Sequence, residues 1–273
     1  MEITDKQFKR ISTLIYERAG INLTESKKTL VQGRLSKVLL QMNCHSFDEY
    51  LDIVEKDRSH QSLSELINRI TTNHTYFWRE NGHFDYFVNT VLPELVQRKR
   101  EQHENDLRIW CAGCSFGDEA YTLMMLMMEF FAEEYRHWTA GLLATDISTD
   151  ALTRAIRGVY PPERLRDLPR HLLLRYFRKN PDGNYQVAEE VRNEIIFRRF
   201  NLMRDVFPFK KPFDVIFCRN VMIYFDKPTR DALVRKFAQF TVSDGYLFIG
   251  HSESIGRSDE TYQYIKPAVY RKH

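Results

Sequence analysis

The stretch RIWCAGCSFGDEAYTLMMLMMEFF, residues 108–131, decides the fold of this chain. Its first part is a short apolar run, as in a buried strand, and its last part is an apolar run of helical length. Between the two lie Gly113 and Gly117, which allow a tight turn and let a ligand approach the backbone closely. The order of strand, glycine turn and helix predicts one unit of a doubly wound parallel sheet with a ligand at the turn.

Two other interpretations of this stretch compete with a ligand cradle. Cys111 and Cys114 have the spacing of a zinc or redox pair, but the chain holds four cysteines and no second pair of this kind. We therefore expect buried cysteines and no metal site. The glycines match neither the GxGxxG fingerprint nor the Walker motif, so a plain strand-to-helix turn remains an alternative.

The next predicted strand favours a ligand that contains a ribose. GLLATDIS places Asp146 at the C-terminal end of this strand, where an acidic residue of a doubly wound fold accepts hydrogen bonds from ribose hydroxyls. A helix cap is the alternative role for such a residue. A ribose-binding acid without a phosphate motif suggests an adenosine ligand that lacks a pyrophosphate, and S-adenosylmethionine is such a ligand.

The region before these strands is predicted to be helical. Four short amphipathic patterns precede residue 75, and the first of them, DKQFKRISTLIYERAG, opens with Asp5 as a plausible N-cap and closes at Gly20. They predict a small all-helical N-terminal domain, residues 1–75.

From Leu107 onward, apolar runs alternate with helical segments. LRIWCAGC, GLLATDIS, FDVIFCRN and GYLFIGHS have the pattern of buried strands. They predict an α/β domain, residues 76–273, with a mostly parallel sheet that is covered on both faces. A segment at about 160–200 breaks the alternation, and its Asp182-Gly183 dipeptide predicts a small antiparallel hairpin.

Composition narrows the classes of function. The 273 residues carry a net charge of +3, well below the basic excess usual in nucleic-acid-binding proteins, so we expect no nucleic-acid partner. The longest apolar run, YTLMMLMMEFF, is too short to span a bilayer, and we expect no membrane insertion. The N-terminus is charged from its second residue and the cysteines are few, so we expect no secretory leader and a cytoplasmic location.

Several motifs give the chain a resemblance to a known family. They are TTNHTYFWRE at 71–80, WCAGCSFGDEAYTL at 110–123, ATDIS at 144–148 and FDVIFCRNVMIYFD at 213–226, with GHSES at 250–254 in support. Together they resemble the CheR family of bacterial chemoreceptor glutamate methyltransferases over nearly the whole chain. The resemblance implies a helical N-terminal domain, then a Rossmann-like doubly wound methyltransferase domain with an inserted antiparallel β-subdomain.

The resemblance also implies an activity and a set of cofactor contacts. The activity is transfer of the methyl group of S-adenosylmethionine to glutamate side chains of chemoreceptors, with S-adenosylhomocysteine as product, for adaptation in chemotaxis. The partner is the cytoplasmic helical bundle of the receptors; a regulatory partner is not identified, and we expect a monomer. The cofactor contacts carried over by motif are Asn73, Thr75, Arg79, Glu119, Asp146, Asn201, Leu202, Asn220 and Val221.

This sequence departs from the family pattern at three places. Phe116 stands where the pattern has a small polar residue, Ala120 stands in place of proline, and His74 stands in place of glutamate. A non-catalytic module that senses S-adenosylmethionine therefore remains a competing function. A nucleic-acid methyltransferase is disfavoured by the modest charge and by the lack of an Asp/Asn-Pro-Pro-Tyr motif after a strand.

The chemistry assigns roles to two further side chains. A glutamate carboxylate is ionised at neutral pH, so it needs orientation toward the methyl group and no general base. Arg79, among the aromatic residues of TYFWRE, is predicted to orient it through parallel hydrogen bonds, and a structural pair with Glu80 is the alternative. Tyr224 is predicted to contact the substrate or the charged end of the cofactor, with simple packing as the alternative. His251 is expected to be structural.

A basic segment is the predicted receptor contact. Residues 26–42 contain four basic side chains and no acidic one, and as a helix they place Lys27, Arg34 and Lys37 beside an apolar stripe of Val31, Leu35, Val38 and Met42. A single sign of charge suits an acidic receptor helix, whereas a solvated face is the alternative. The loop RKNPDGNYQV is short, and we expect an enzyme that does not depend on a receptor tether.

Overall fold

The computed structural model describes residues 2–59, 61–71, 75–256 and 260–273. Its first part is helical, as predicted, and consists of α1 (Asp5–Ala19), α2 (Lys28–Gln41), α3 (Phe47–Lys56) and α4 (Gln61–Ile70). The N-cap of α1 is Thr4 and not Asp5, because the Thr4 side chain and the Gln7 side chain form a reciprocal capping box. Gly20 ends this helix in the left-handed conformation.

The second part is built on a seven-stranded sheet. A helical segment precedes the sheet and consists of α5 (Gly82–Tyr86), a short π-helix (Phe87–Val91) and α6 (Leu92–Glu101). The strand order is β6-β2-β1-β7-β8-β10-β9. The strands β6, β2, β1, β7 and β8 are parallel, and β10 is antiparallel to both of its neighbours. The bounds are β1 (Asp106–Ala112), β2 (Thr139–Asp146), β6 (Ile195–Arg199), β7 (Phe213–Cys218), β8 (Thr241–Ile249), β9 (Tyr262–Lys266) and β10 (Val269–Lys272).

The sheet is covered on both faces, which confirms the predicted fold class. Alternate residues of β1 enter different cores: Ile109 and Cys111 lie in one cluster, and Trp110 and Ala112 lie in the other. The principal covering helices are α7 (Asp118–Phe131), α8 (Thr149–Arg157) and α11 (Lys227–Gln239). The strongly apolar α7 is buried along most of its length, which explains its lack of a polar face.

The insert forms a small sheet of its own between β2 and β6. Its strands β3 (Val159–Tyr160), β4 (Phe177–Lys179) and β5 (Tyr185–Val187) pair antiparallel in the order β3-β5-β4, with α9 (Arg170–Tyr176) before β4 and α10 (Glu189–Asn193) after β5. The Asp182-Gly183 hairpin is confirmed. The end of the predicted insert is different, because residues 195–199 form β6, which pairs with β2 in the main sheet.

The helical part packs against the C-terminal ends of the parallel strands. Its core includes Ile147 and Tyr224 from the second part as packing neighbours. The Asn22 amide donates to the Tyr224 carbonyl at 2.8 Å across this junction. A Cβ atom on Gly20 would lie 2.3 Å from the Met203 sulfur, so the backbone approaches more closely there than a side chain permits. No helix among the described residues has both the length and the apolar character that a bilayer span requires.

Candidate active site

One cleft lies where β1, β2 and β7 end and the helical part meets the sheet. Ligands of doubly wound folds bind at this edge. The predicted residues that line it are Thr75, Arg79, Glu119, Asp146, Asn201, Leu202, Asn220, Val221 and Tyr224. Asn73 and His74 lie outside the described residues. Ala19 and Ile21, from the end of α1 and the residues after it, also line the cleft, so the helical part supplies one wall.

The glycine turn after β1 forms the floor of this cleft. Gly113 has a φ of 85°, and a Cβ atom there would lie 2.4 Å from a methyl carbon of Val221. The Gly113 and Cys114 amides both donate to the Thr145 carbonyl, at 2.7 and 2.8 Å. A residue without a side chain is therefore required at position 113, and the turns after β1 and β7 lie in direct contact.

Asp146 ends β2 beside this turn and is 8% exposed. Its two carboxylate oxygens accept hydrogen bonds from the Ser115 amide and the Ser148 amide, both at 2.8 Å. Burial raises the pKa of this carboxyl, and the backbone hydrogen bonds oppose the shift. Asp146 thus holds the glycine turn and the amide of Ser148, which is the N-cap residue of α8, and Asp146 also lines the cleft.

A buried arginine connects the acidic residues of the cleft. The Arg219 guanidinium donates to Glu119 at 2.7 Å and to Glu80 at 3.0 Å, and it also donates to the Arg79 carbonyl at 2.6 Å. The Cys111 thiol donates to the other oxygen of Glu119 at 3.3 Å. Glu119 is therefore held in a fixed position at the cleft wall.

Arg79 is separated from Glu80 by more than hydrogen-bond distance. Its Nε lies 4.0 Å from the Glu80 carboxylate, which instead binds Arg219 and accepts from Asn220 Nδ2 at 3.2 Å. Burial pushes the pKa of Glu80 upward, but Arg219, Asn220 and His251 outweigh this effect and hold it below its usual value. The geometry therefore disfavours the alternative of a tight Arg79–Glu80 pair.

The loop after β7 is held by a glutamate from the GHSES motif. Asn220 has a φ of 59°, a left-handed conformation that asparagine tolerates. The buried Glu253 carboxylate accepts from the Asn220 amide at 2.9 Å and from the Ile223 amide at 3.1 Å. Sequence reasoning did not single out Arg219 or Glu253, although both lie inside the motifs that carry the family resemblance.

Asn201 uses its amide side chain within the protein. Its Nδ2 donates to the Arg18 carbonyl at 2.7 Å, and its Oδ1 accepts from the Met203 amide at 3.0 Å. This side chain therefore joins the end of α1 to the segment after β6 and forms part of the cleft wall.

The predicted receptor contacts are not among the residues that line the cleft. Lys27 ends a 3₁₀ turn (Glu25–Lys27) just before α2, and both Lys27 and Lys37 are exposed. Arg34 is half-buried, and its guanidinium donates to the Ile70 carbonyl at 2.5 Å and the Thr71 carbonyl at 3.2 Å. Arg34 therefore caps the C-terminal end of α4. Of the predicted apolar stripe, Met42 is 39% exposed, and the buried face is completed by Leu39.

The cysteines and one histidine cluster bear on the metal interpretation. Cys111 and Cys114 are buried free thiols, and burial raises the pKa of each far above its usual value, which disfavours the thiolate a metal needs. Glu80, His83 and His251 come within 4.8 Å of one another, the one such group among the described residues. The Arg219 guanidinium already compensates the Glu80 charge. The absence of a metal stays a prediction.

Two family models and several relatives of known name match this chain. Residues 73–270 match the family described as CheR methyltransferase, SAM binding domain, and residues 6–71 match CheR methyltransferase, all-alpha domain. A chemotaxis protein methyltransferase of Borreliella burgdorferi is 42% identical over 273 residues, which cover 100% of this chain and 96% of that protein. One of Escherichia coli K12 is 34% identical, with 99% and 92% covered. A solved structure of an S-adenosylmethionine-dependent methyltransferase from Mesorhizobium loti is 20% identical to this chain. The matched region covers 53% of this chain and 46% of that protein, with a TM-score of 0.29.

Proposed function

The chain belongs to the CheR methyltransferase family, and from that premise we propose how its cleft works. The protein is an S-adenosylmethionine-dependent protein-glutamate O-methyltransferase. It methylates glutamate side chains of chemoreceptors for adaptation in chemotaxis and releases S-adenosylhomocysteine. The observation that carries the proposal is the convergence of the motif residues at one cleft.

The residues of the cleft fit this cofactor. Gly113 lets the backbone come close to a ligand, and the apolar walls include Ile147, Leu202 and Phe84, which suit an adenine ring. Glu119 and Asp146 are acidic groups that lie ready to accept hydrogen bonds from ribose hydroxyls. When bound, S-adenosylmethionine supplies a methyl group on a positively charged sulfur.

The remaining roles belong to residues at the mouth of the cleft. The incoming glutamate carboxylate is already ionised at neutral pH, so the protein has to place it in line with the methyl group. Arg79 orients this carboxylate, since its guanidinium is a planar donor and the residue lines the cleft. Tyr224 contacts the substrate or the charged end of the cofactor. Asn73 is a further proposed cofactor contact, because it matches the family motif.

Lys27 and Lys37 are proposed to attract the acidic helices of the receptor bundle, while Arg34 of the same segment caps α4. Their exposure and shared sign support this role. We place the division between the recognition domain and the methyltransferase domain at residue 75, and the protein in the cytoplasm as a monomer. The insert's hairpin turn is tight, with the Asn180 amide bound to the Asn184 carbonyl at 2.7 Å, which supports an enzyme that works without a receptor tether.

Methyl transfer to receptors is the direct test. The protein is incubated with receptor-containing membranes and S-adenosylmethionine labelled in its methyl group, and the label on the receptors is then treated with mild base. A glutamate methyl ester should release the label as methanol. Cofactor binding is measured in parallel by calorimetry with S-adenosylhomocysteine. Binding without transfer to any receptor would instead support a module that senses the cofactor.

A further inference from the structure

An arginine of the insert reaches the wall of the cofactor cleft. Arg164 lies in a 3₁₀ turn (Pro162–Leu165) between β3 and α9. Its Nε donates to one oxygen of Asp118 at 3.0 Å, and its Nη2 donates to the other oxygen at 2.7 Å. The same Nη2 donates to the Thr75 carbonyl at 2.8 Å, and the Arg164 carbonyl accepts from the Phe77 amide at 3.3 Å.

Each partner of Arg164 adjoins a residue of the cleft. Asp118 begins α7 and directly precedes Glu119. Thr75 lines the cleft and starts the short segment that ends in Arg79. We call Arg164, Asp118 and the Thr75 carbonyl the Arg164 junction. It joins three separate parts of the chain: the insert, the start of α7 and the segment that carries Arg79.

Phe116 belongs to the same contact. Two guanidinium groups lie over its ring, those of Arg164 at 4.8 Å and Arg154 at 5.2 Å from the ring centre. The Tyr160 hydroxyl, from β3, donates to the Phe116 carbonyl at 2.5 Å. Phe116 is not among the residues that line the cleft. The departure from the family pattern at position 116 therefore faces the insert.

The burial of Asp118 makes loss of the Arg164 junction energetically costly. Its side chain is fully buried, with 0% exposure, whereas Arg164 is half-buried. A buried carboxylate without its partner is strongly unfavourable, and the bidentate fork of an arginine satisfies both oxygens at once. The first turn of α7, which includes Glu119, thus contains a buried charge that this pair neutralises.

We propose that Arg164 is a positioning residue for methyl transfer, and that it makes the inserted sheet part of the scaffold of the cofactor site. Through Asp118 it fixes Glu119 at the start of α7, and through the Thr75 carbonyl it fixes the segment that leads to Arg79. This inference rests on the proposed function, since it concerns how the same cleft holds its cofactor.

Calorimetric titration with S-adenosylhomocysteine tests the proposal on the full chain. Arg164→Ala leaves Asp118 charged and unpaired, so the decisive variant is Arg164→Ala with Asp118→Asn, which removes both charges and leaves no unpaired buried carboxylate. We expect the double variant to keep its fold and to bind S-adenosylhomocysteine about tenfold more weakly, with KM for the cofactor rising by a similar factor. Arg164→Lys should restore charge compensation and melting temperature but not affinity, because an ammonium lacks the planar fork.

Arg154→Ala is the matched control, since it removes an exposed arginine that also lies over the Phe116 ring, whereas the hydrogen bonds to Asp118 and to the Thr75 carbonyl come from Arg164. It should leave affinity unchanged. A double variant that folds and binds with wild-type affinity would overturn the proposal, as would an Arg154→Ala variant that loses as much affinity. A wild-type protein that binds no S-adenosylhomocysteine would instead overturn the proposed function, and this inference would fall with it.

Discussion

At the scale of single residues, the cleft is organised by carboxylates that bind the protein's own groups. Asp146 and Glu253 accept backbone amides, and Glu119 and Glu80 share Arg219. Hydrogen bonds to charged groups are stronger than those between neutral groups, so these residues fix loops that would otherwise be mobile. Cofactor affinity should therefore depend on how these carboxylates hold the backbone as well as on direct contacts.

Asp146→Asn should weaken cofactor binding while the protein still folds. An asparagine has one acceptor oxygen, so its amide NH₂ would face either the Ser115 amide or the Ser148 amide, donor against donor. We expect a loss of about 1–3 kcal/mol in S-adenosylhomocysteine affinity, measured by calorimetry. Asp150→Asn, an exposed change of the same kind on α8, should have no effect. An unchanged affinity in Asp146→Asn would remove this residue from the site.

Arg79→Ala should lower turnover much more than stability. We expect a decrease of about a hundredfold, on the order of 3 kcal/mol of activation free energy, because the receptor carboxylate loses its orienting donor. The melting temperature should change little, since Glu80 keeps its pair with Arg219. Arg79→Lys should recover little activity. Full turnover in the alanine variant would show that Arg79 does not orient the substrate.

Asp118 should make cofactor affinity depend on pH near 6. Burial raises the pKa of Asp118 to about 6, against the opposing effect of Arg164. Below that pH the carboxyl is neutral and the pair with Arg164 weakens, so S-adenosylhomocysteine affinity should fall between pH 7 and 5.5. Glu119, Cys114 and Tyr160 also face this group, and burial raises the pKa of Cys114 and Tyr160 far above this range.

The direction of the stability effect separates this loss of affinity from unfolding. The pKa of Asp118 is higher in the folded protein than in the unfolded chain, so proton uptake favours the folded state. Its contribution to the free energy of unfolding grows as the pH falls from 7 toward 4 and is lost as the pH rises through about 6. Asp118→Asn should lack the affinity step, and an identical step in that variant would assign it to another group.

At the scale of elements, local sequence patterns predicted the type of each element well, but they predicted poorly which strands pair with one another. The apolar run of β1, the glycine turn and α7 follow from neighbouring residues, and so does the Asp182-Gly183 hairpin. The pattern IIFRR indicates a strand but not its partner, and β6 pairs with β2, which lies on the other side of the insert in sequence. The N-cap of α1 was misplaced by one residue because Thr4 and Asp5 are both common helix starters.

Prediction of the site had the same limit. Motifs identified residues that line one cleft, but they did not show which side chains bind one another. Arg219 reaches Glu80 across 139 positions and Glu119 across 100, and such contacts depend on the tertiary fold. The helical pattern of α2 likewise placed Arg34 on the surface, whereas its guanidinium binds carbonyls at the end of α4.

The capping role of Arg34 changes the test of receptor recognition. The variant with Lys27→Glu and Lys37→Glu keeps Arg34 and should methylate receptors much more slowly at low salt, with cofactor affinity unchanged. The difference from wild type should shrink at high salt, because exposed charges are screened over about 8–10 Å at ordinary ionic strength. Lys6→Glu with Lys9→Glu, on α1, is a control of equal charge change with exposed lysines. If the two double variants slow receptor methylation equally, net charge alone explains the effect and the surface at Lys27 and Lys37 is not a specific contact.

At the scale of the whole molecule, a cofactor bound in the proposed cleft would lie between two parts of the chain and should hold them together. Ala19 and Ile21 line the cleft from one side and Tyr224 from the other, next to the Asn22–Tyr224 backbone hydrogen bond. A ligand at a hundred times its Kd stabilises the closed form by about 2.7 kcal/mol if the open form does not bind it. Saturating S-adenosylhomocysteine should therefore slow hydrogen exchange of the Asn22 amide by up to about a hundredfold.

The Gln102 amide is the internal control for this exchange experiment. It ends α6, bound to the Arg98 carbonyl at 3.1 Å and outside the residues that line the cleft, so its opening should not respond to the ligand. Equal slowing at both amides would indicate global stabilisation only. Unchanged exchange at Asn22 would show that the cofactor does not bridge the two parts.

The attachment of the Asn220 loop to Glu253 has a consequence for protein synthesis. A ribosome makes the chain from its N-terminus, and the helical part can fold while the rest is still being translated. The loop that carries Asn220 is held by a carboxylate that is made 33 residues later. The nascent chain therefore lacks the finished cleft until Glu253 has been made, and the cofactor cannot guide the folding of the earlier segments.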